Sequence, residues 1–265
     1  MKAIILSIWK YRGFILGSVQ REFQSKYRNS MLGAAWMVLN PLAMIVVYTV
    51  IFSQIMKAKL PGIDSTFAYS IYLCAGTLTW GLFAEIVGRG QTVFLENASL
   101  LKKLSFPRIC LPIITVLNAG LNFSIIASLF TIFLIISGNF PGWVFFAAIP
   151  VLIVQLMFSI GLAMVLGVLN VFFRDVGQFF GIFLQFWFWL TPIVYPANII
   201  PSSISHHLML WNPMAPIIGA YQTILTSGQL PVWYTLIIPT ITGLILCMLG
   251  MSLFRKRAGE MVDEL

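Results

Sequence analysis

Acidic side chains are scarce in this 265-residue chain: eight Asp and Glu in all, against sixteen Lys and Arg, and charged residues make up only 9% of it. With 59% hydrophobic residues and a mean hydropathy of +0.93, there are too few polar groups to cover a water-soluble globule of this length. Lipid must therefore be the solvent for most of the chain. Three cysteines, Cys74, Cys110 and Cys247, are odd in number and widely spaced within apolar sequence, which indicates neither a disulfide framework nor a metal site. They read as small buried apolar residues. No GxxxxGK[ST] loop occurs, so the chain has no phosphate cradle of that kind for hydrolysing a nucleotide. Neither paired carboxylates at span ends nor a Ser/His/Asp set is suggested by spacing, and adjacent His206 and His207 point to different sides of a helix. Any energy source must be a gradient or external.

What the chain does have is long apolar runs, at about 31–56, 67–88, 109–137, 143–172, 176–195 and 232–254. About 20 residues at 1.5 Å rise cross a hydrocarbon core of about 30 Å, so six membrane-spanning helices are predicted. Helices are required because no water satisfies a bare backbone there, and the alternating strands of a barrel are missing. The first apolar run, Ala3 to Trp9, is short and lacks a cleavage site, so the basic start is expected to be retained.

Charge placement orients the bundle. With the amino terminus inside, 14 of the 16 Lys and Arg fall on the cytoplasmic side and only Lys57 and Lys59 outside. Both termini are then cytoplasmic. This placement between apolar runs also argues against nucleic-acid binding despite a net charge of +8 and a pI near 9.6.

Residues 1–30 carry six Lys and Arg and a single acid. Ile15, Val19, Phe23 and Tyr27 recur every fourth residue, with Arg21, Gln24 and Arg28 opposite, which describes a helix lying in the headgroup plane. A plain topogenic tail is the alternative. Between the second and third spans, residues 91–108 mix Glu96, Asn97, Ser99, Lys102 and Lys103 with Leu100, Leu101 and Leu104, so a short cytoplasmic helix with a leucine face is expected, offered to a partner or tucked against its own bundle. From Pro196 to Pro231 no charge occurs, and prolines at 196, 201, 213, 216 and 231 leave His206 to Trp211 and Ile217 to Leu225 too short to cross. These read as re-entrant pieces dipping from the outer side.

Inside the spans, Glu85 is the one well-embedded acid and Arg89 follows it by four residues, an intrahelical pair. So sparse an intramembrane charge disfavours an ion-coupled carrier, and no inverted repeat is evident. The fifth span carries Phe179, Phe180, Phe183, Phe186, Trp187, Phe188 and Trp189. Such rings stack on sugar faces or pack against lipid and neighbouring helices; both readings stay open. Gly177 and Gly181 in the same span make a GxxxG spacing for close helix contact.

Taken in order, Lys26-Tyr27-Arg28 with Ser30, Leu32-Gly33, Trp36 and Asn40-Pro41; Asn97, Leu100, Lys102 and Phe106-Pro107-Arg108, then Leu111-Pro112; Phe173-Arg174-Asp175; Thr191-Pro192 with Tyr195-Pro196; and Asn212-Pro213 with Tyr221 form a pattern. In these pieces the chain resembles, over essentially its whole length, the transmembrane subunit of ABC-2 type exporters of cell-surface polysaccharides. The resemblance implies the all-α ABC-2 (type V) exporter fold: an interface helix over 1–30, a six-helix domain over 31–254, a coupling loop at 91–108, a re-entrant gate at 196–231 and a cytoplasmic tail at 255–265. It also implies a homodimer in the bacterial inner membrane, bound to two separately encoded ATPase subunits. The chain itself then has no cofactor and no catalytic residue, ATP and Mg being held by the partner. Glu96, Asn97, Ser99, Leu100, Leu101, Lys102, Arg21 and Lys26 are the expected ATPase-coupling residues. Tyr27, Arg28, Trp36, Phe183, Trp187, Tyr195, Tyr221 and Arg174 are the expected path for an undecaprenyl-linked polysaccharide, O-antigen first among them. Permeases for teichoic acid, capsule, other lipids or drugs, a glycan-lipid enzyme, and an autonomous carrier are the competing readings.

Overall fold

A computed structural model describes residues 9–27, 32–55, 60, 66–103, 106–196 and 211–264, and among these the regular structure is helical. Surface helix α1 spans Arg12–Tyr27. Helix α2, Trp36–Thr49, is led in by a 3₁₀ turn at Gly33–Ala35 and continues as a π-helix through Val50–Ile55. Then come α3 (Ala68–Glu96), the short α4 (Ala98–Lys103), α5 (Cys110–Ile136), α6 (Ala148–Phe172) and α7 (Asp175–Leu190). After residues outside the described set, α8 (Met214–Gln222) runs on as a π-helix over Thr223–Ser227, α9 spans Ile237–Arg257, and α10 is a single turn at Met261–Glu264.

Proline and glycine place several of these boundaries. Pro112, Pro150, Pro216 and Pro239 each stand third in α5, α6, α8 and α9, within the first turn, where a backbone donor has no intrahelical acceptor to lose. At the far end of α5, Gly138 takes φ +71°, its N–H reaches the Ile135 carbonyl and that of Asn139 reaches Leu134. This pair of bonds is a Schellman stop. Helix α7 ends at Leu190 rather than near 195, because Thr191 precedes Pro192 and is driven to extended backbone at φ −101°, ψ 135°. Conversely α3 outruns the expected limit near residue 88 and continues to Glu96, where the Asn97 side chain donates to the Val93 carbonyl at 2.8 Å and closes the helix. Residues 91–96 are therefore helix, and only 97–108 remain as a link.

Among the described residues, four helices are long and apolar enough to cross a membrane: α3, α5, and α6 and α9 with their 3₁₀ leads. At 1.5 Å per residue α2 with its π extension reaches about 30 Å and α7 about 24 Å. In the packing, α3 and α6 are central and α5 and α9 peripheral. Without a hydrophobic drive between helices in lipid, close backbone approach through small residues does this work. A Cβ on Gly161 would sit 2.7 Å from the Cys247 nitrogen, and one on Gly250 2.7 Å from the Met164 Cβ, so α6 and α9 meet along a glycine seam. Helix α8 is buried on nearly every side, with Met214, Ile217, Ile218, Tyr221 and Ile224 in the main core among α3, α6 and α7. Ile217 to Leu225, expected as a re-entrant piece, lies in this helix and its π extension. Of the other expected piece, His206 to Trp211, all but Trp211 lies outside the described residues.

Candidate coupling site under the surface helix

Helix α1 rests on α5 through the face the sequence marked: Ile15 and Val19 are buried against Cys110 and Ile114. The polar side of the same helix holds a contact the sequence did not announce. Glu22, the lone acid of the basic amino-terminal stretch, pairs with Arg89 of α3 and accepts from Asn118 Nδ2 of α5 at 2.5 Å. Arg89 also faces Glu85 one turn earlier at 3.5 Å, and Asn122 Nδ2 donates to Glu85 at 2.9 Å. Two carboxylates, one guanidinium and two amides thus join three helices. Glu85 and Arg89, and Asn118 and Asn122, each stand four apart, which puts each pair on one helix face. That spacing of asparagines in an otherwise apolar span was the available signal for the network.

Beside it lies a cavity of about 440 Å³, bordered by Phe14, Ser18, Arg21 and Glu22 of α1, Arg89, Val93 and Glu96 of α3, and Asn97 and Leu100. The expected coupling residues Arg21, Glu96, Asn97 and Leu100 are therefore brought together around one opening. Along α3–α4, Glu96, Ser99 and Lys102 are exposed at three-residue intervals. Leu101 faces the other way, 8% exposed, packed with Val93, Phe94, Ile109 and Phe254, and Leu100 is partly buried on the same cluster. The leucine face is consequently occupied by the protein's own core; what the short helix presents outward is its polar edge. Leu104 lies outside the described residues, and Lys26 is placed only as backbone in the last turn of α1.

The expected path residues are not gathered in one place. Trp36 opens α2 half-exposed, Tyr27 is the last residue of α1, and Arg28 is outside the described residues. Arg174 and Tyr195 bracket α7, the former exposed, the latter half-buried with its hydroxyl donating to the Trp189 carbonyl at 2.8 Å. Phe179, Phe183 and Phe186 form an exposed stripe on α7, whereas Trp187 and Tyr221 are buried in the core. The Trp187 indole donates to Asn212 Oδ1 at 2.8 Å, and Asn212 Nδ2 donates to Thr191 Oγ1 at 2.9 Å. Asn212 also accepts from the Met214 backbone N–H at 3.1 Å, so a single amide ties the start of α8 to the end of α7. Trp187 and Tyr221 hence support the packing of α8 against the rest of the chain. Among the described residues, no group of His, Cys, Asp and Glu is arranged to hold a metal.

The apolar helices, with a surface helix clamped across two of them, define a helical integral membrane protein. Residues 15–226 match the ABC-2 type transporter family, and the chain belongs to that family. It is 30% identical to the O-antigen export system permease protein RfbA of Myxococcus xanthus over 266 residues, covering all of both chains. To a Klebsiella pneumoniae protein of the same name it is 31% identical over 237 residues, 89% of this chain and 88% of the relative. The polysialic acid transport protein KpsM of Escherichia coli is more distant, 21% identical over 92% of this chain.

Proposed function

We propose that this chain is the permease subunit of an ATP-driven exporter that moves a lipid-linked polysaccharide, O-antigen in the first instance, across the bacterial inner membrane. The observation that carries the reading is the likeness to O-antigen export permeases, which spans 89–100% of this chain. In this reading α2, α3, α5, α6, α7 and α9 are six spans, both termini are cytoplasmic, and α8 with the preceding residues is a gate that enters from the outer side. Two copies pair with two ATPase subunits, which bind ATP and Mg and perform the hydrolysis; the chain itself is no enzyme.

The coupling surface is then the polar edge of α3–α4, with Glu96, Ser99 and Lys102 outward and Asn97 capping beneath, together with Arg21 and Lys26 on α1. Leu100 and Leu101 hold that edge in place. Cationic Arg28 and Arg174 draw lipid pyrophosphate toward the inner-leaflet entrance. Tyr27, Trp36 and the exposed rings around Phe183 supply register-tolerant stacking for sugars, while Trp187, Tyr195 and Tyr221 set the gate's position. The reading is tested by purifying the chain with a candidate ABC ATPase subunit from the same genome and reconstituting both in vesicles with a defined undecaprenyl-linked polymer. ATP-dependent transfer to the opposite face is expected. ATP hydrolysis by the chain alone, failure to bind any ATPase, or transport of the bare lipid but never the polymer would refute it.

A further inference from the structure

Helix α1 touches α5 through apolar side chains, but the backbones of α1 and α3 do not pack closely against one another. The Glu22–Arg89 ion pair links α1 directly to α3. With both side chains about 40% exposed, such a pair adds little to stability. Its effect is geometric: Glu22 is held by donors from two different helices, Arg89 and Asn118, so a slide of α1 along the bundle must pull on both contacts or break them.

Beyond Arg89 the contacts are rigid. At the next residue, Gly90, the carbonyl oxygen would be 2.6 Å from a Cβ on Gly167, and a Cβ on Gly90 itself would meet the Ala163 Cβ at 2.6 Å. The backbones of α3 and α6 therefore approach closely, with only the Ala163 methyl and the Phe94 ring beside the glycines. One residue on, the Gln91 carbonyl accepts from Asn170 Nδ2 at 2.8 Å, and Asn170 Oδ1 accepts from the Gly177 backbone N–H at 2.9 Å in the first turn of α7. Residues 89, 90 and 91 thus connect, in one turn of α3, to the surface helix, to α6 and to the aromatic helix α7. Asn170 is 2% exposed with both ends of its amide engaged.

We infer that Glu22 and Arg89 are positioning residues for transport: the joint that carries a displacement of α1 into α3, with Asn170 passing it to α7 and its exposed phenylalanine stripe. The inference rests on the proposed export function, because it takes the ATPase as the source of the displacement. The test is a cycle of variants with a readout at each end.

The variants E22Q, R89Q and the double variant are assembled with the ATPase partner in vesicles. Single cysteines report at Gln24→Cys on α1 and Phe179→Cys on α7, in a background where Cys74, Cys110 and Cys247 are Ala. In the otherwise unaltered complex, ATP is expected to change thiol labelling at both positions. In E22Q the change at 24 persists and that at 179 is lost; polymer export falls at least tenfold with ATP hydrolysis within twofold. The double variant is expected to be no worse than the poorer single one. Export kept in E22Q, additive losses, an ATP response at 179 that survives, or a variant that fails to accumulate and so reveals a purely structural pair would each overturn the relay. An unaltered complex that transports no polymer instead sinks the functional reading and the relay with it; transport in that complex with indifferent variants sinks the relay alone.

Discussion

The α6–α9 seam makes Gly161→Ala an informative single change. The new Cβ would lie 2.7 Å from the Cys247 backbone nitrogen, 2.8 Å from the Leu246 Cβ and 2.9 Å from the Leu246 carbonyl carbon. Ordinary contact begins at about 3.5 Å, so α9 must retreat by about 0.7 Å, and a gap of 0.5–1 Å forfeits roughly a quarter to a half of each dispersion contact along the seam. Overpacking of this kind costs about 1–3 kcal/mol, and the atoms met belong mainly to backbone, which places the cost toward the upper end. Against it stands the helix-forming advantage of Ala over Gly, about 1 kcal/mol. The net loss is about 2 kcal/mol. Gly120→Ala in α5 is the internal control, since its Cβ would meet nothing within 4 Å and only the propensity gain remains. At roughly 2–4 °C per kcal/mol, the two variants should melt roughly 6–12 °C apart in the same detergent, followed by size-exclusion fluorescence after heating. A Gly161→Ala protein as stable as Gly120→Ala would refute the account of the seam as a contact with no slack.

Leu101→Asp should prevent stable folding, because the side chain sits in the cluster with Phe94 and Phe254, whereas Lys102→Glu should fold normally and weaken ATPase association; pull-down and thermal stability separate the two. Asn212→Leu strands the Trp187 indole and the Met214 N–H, at about 1–3 kcal/mol each, and should lower the melting temperature and shift tryptophan emission. Tyr221→Phe should be neutral or stabilising by about 1 kcal/mol, since its buried hydroxyl meets no partner among the described residues, while Tyr72→Phe gives up bonds to the Pro192 and Tyr195 carbonyls and should destabilise; the order of the two melting temperatures is the check.

Much of this protein could be read from a one-dimensional pattern. Apolar runs of membrane length, the Lys and Arg between them and the fourfold spacing of Ile15 and Val19 are local properties, and lipid as solvent enforces helices wherever they occur. The order of short motifs from Lys26 to Tyr221 was likewise sufficient to indicate the family. Local terms failed where two of them competed: the mixed polar and apolar residues 91–96 look like part of a link, yet the backbone bonds of α3 and the core contacts of Val93 and Phe94 carry the helix through them. Leucines 100 and 101 show the same limit, since an apolar face advertises burial but does not say against what.

Spacing along the chain made Glu85 and Arg89 a pair, Asn118 and Asn122 another, and Glu22 an isolated acid among bases. Only the tertiary structure joined them, because Glu22 lies 67 residues from Arg89 and 96 from Asn118, and such contacts depend on how helices pack and not on any period. The same holds for the aromatic helix: sequence supplied its rings, but packing on α3, α6 and α8 decided that Trp187 is core and Phe179, Phe183 and Phe186 are surface. What a residue prefers is set by its own chemistry and near neighbours; which residue it meets is set by the approach of distant backbones, here governed by glycines at 90, 161, 167 and 250 that let helices touch.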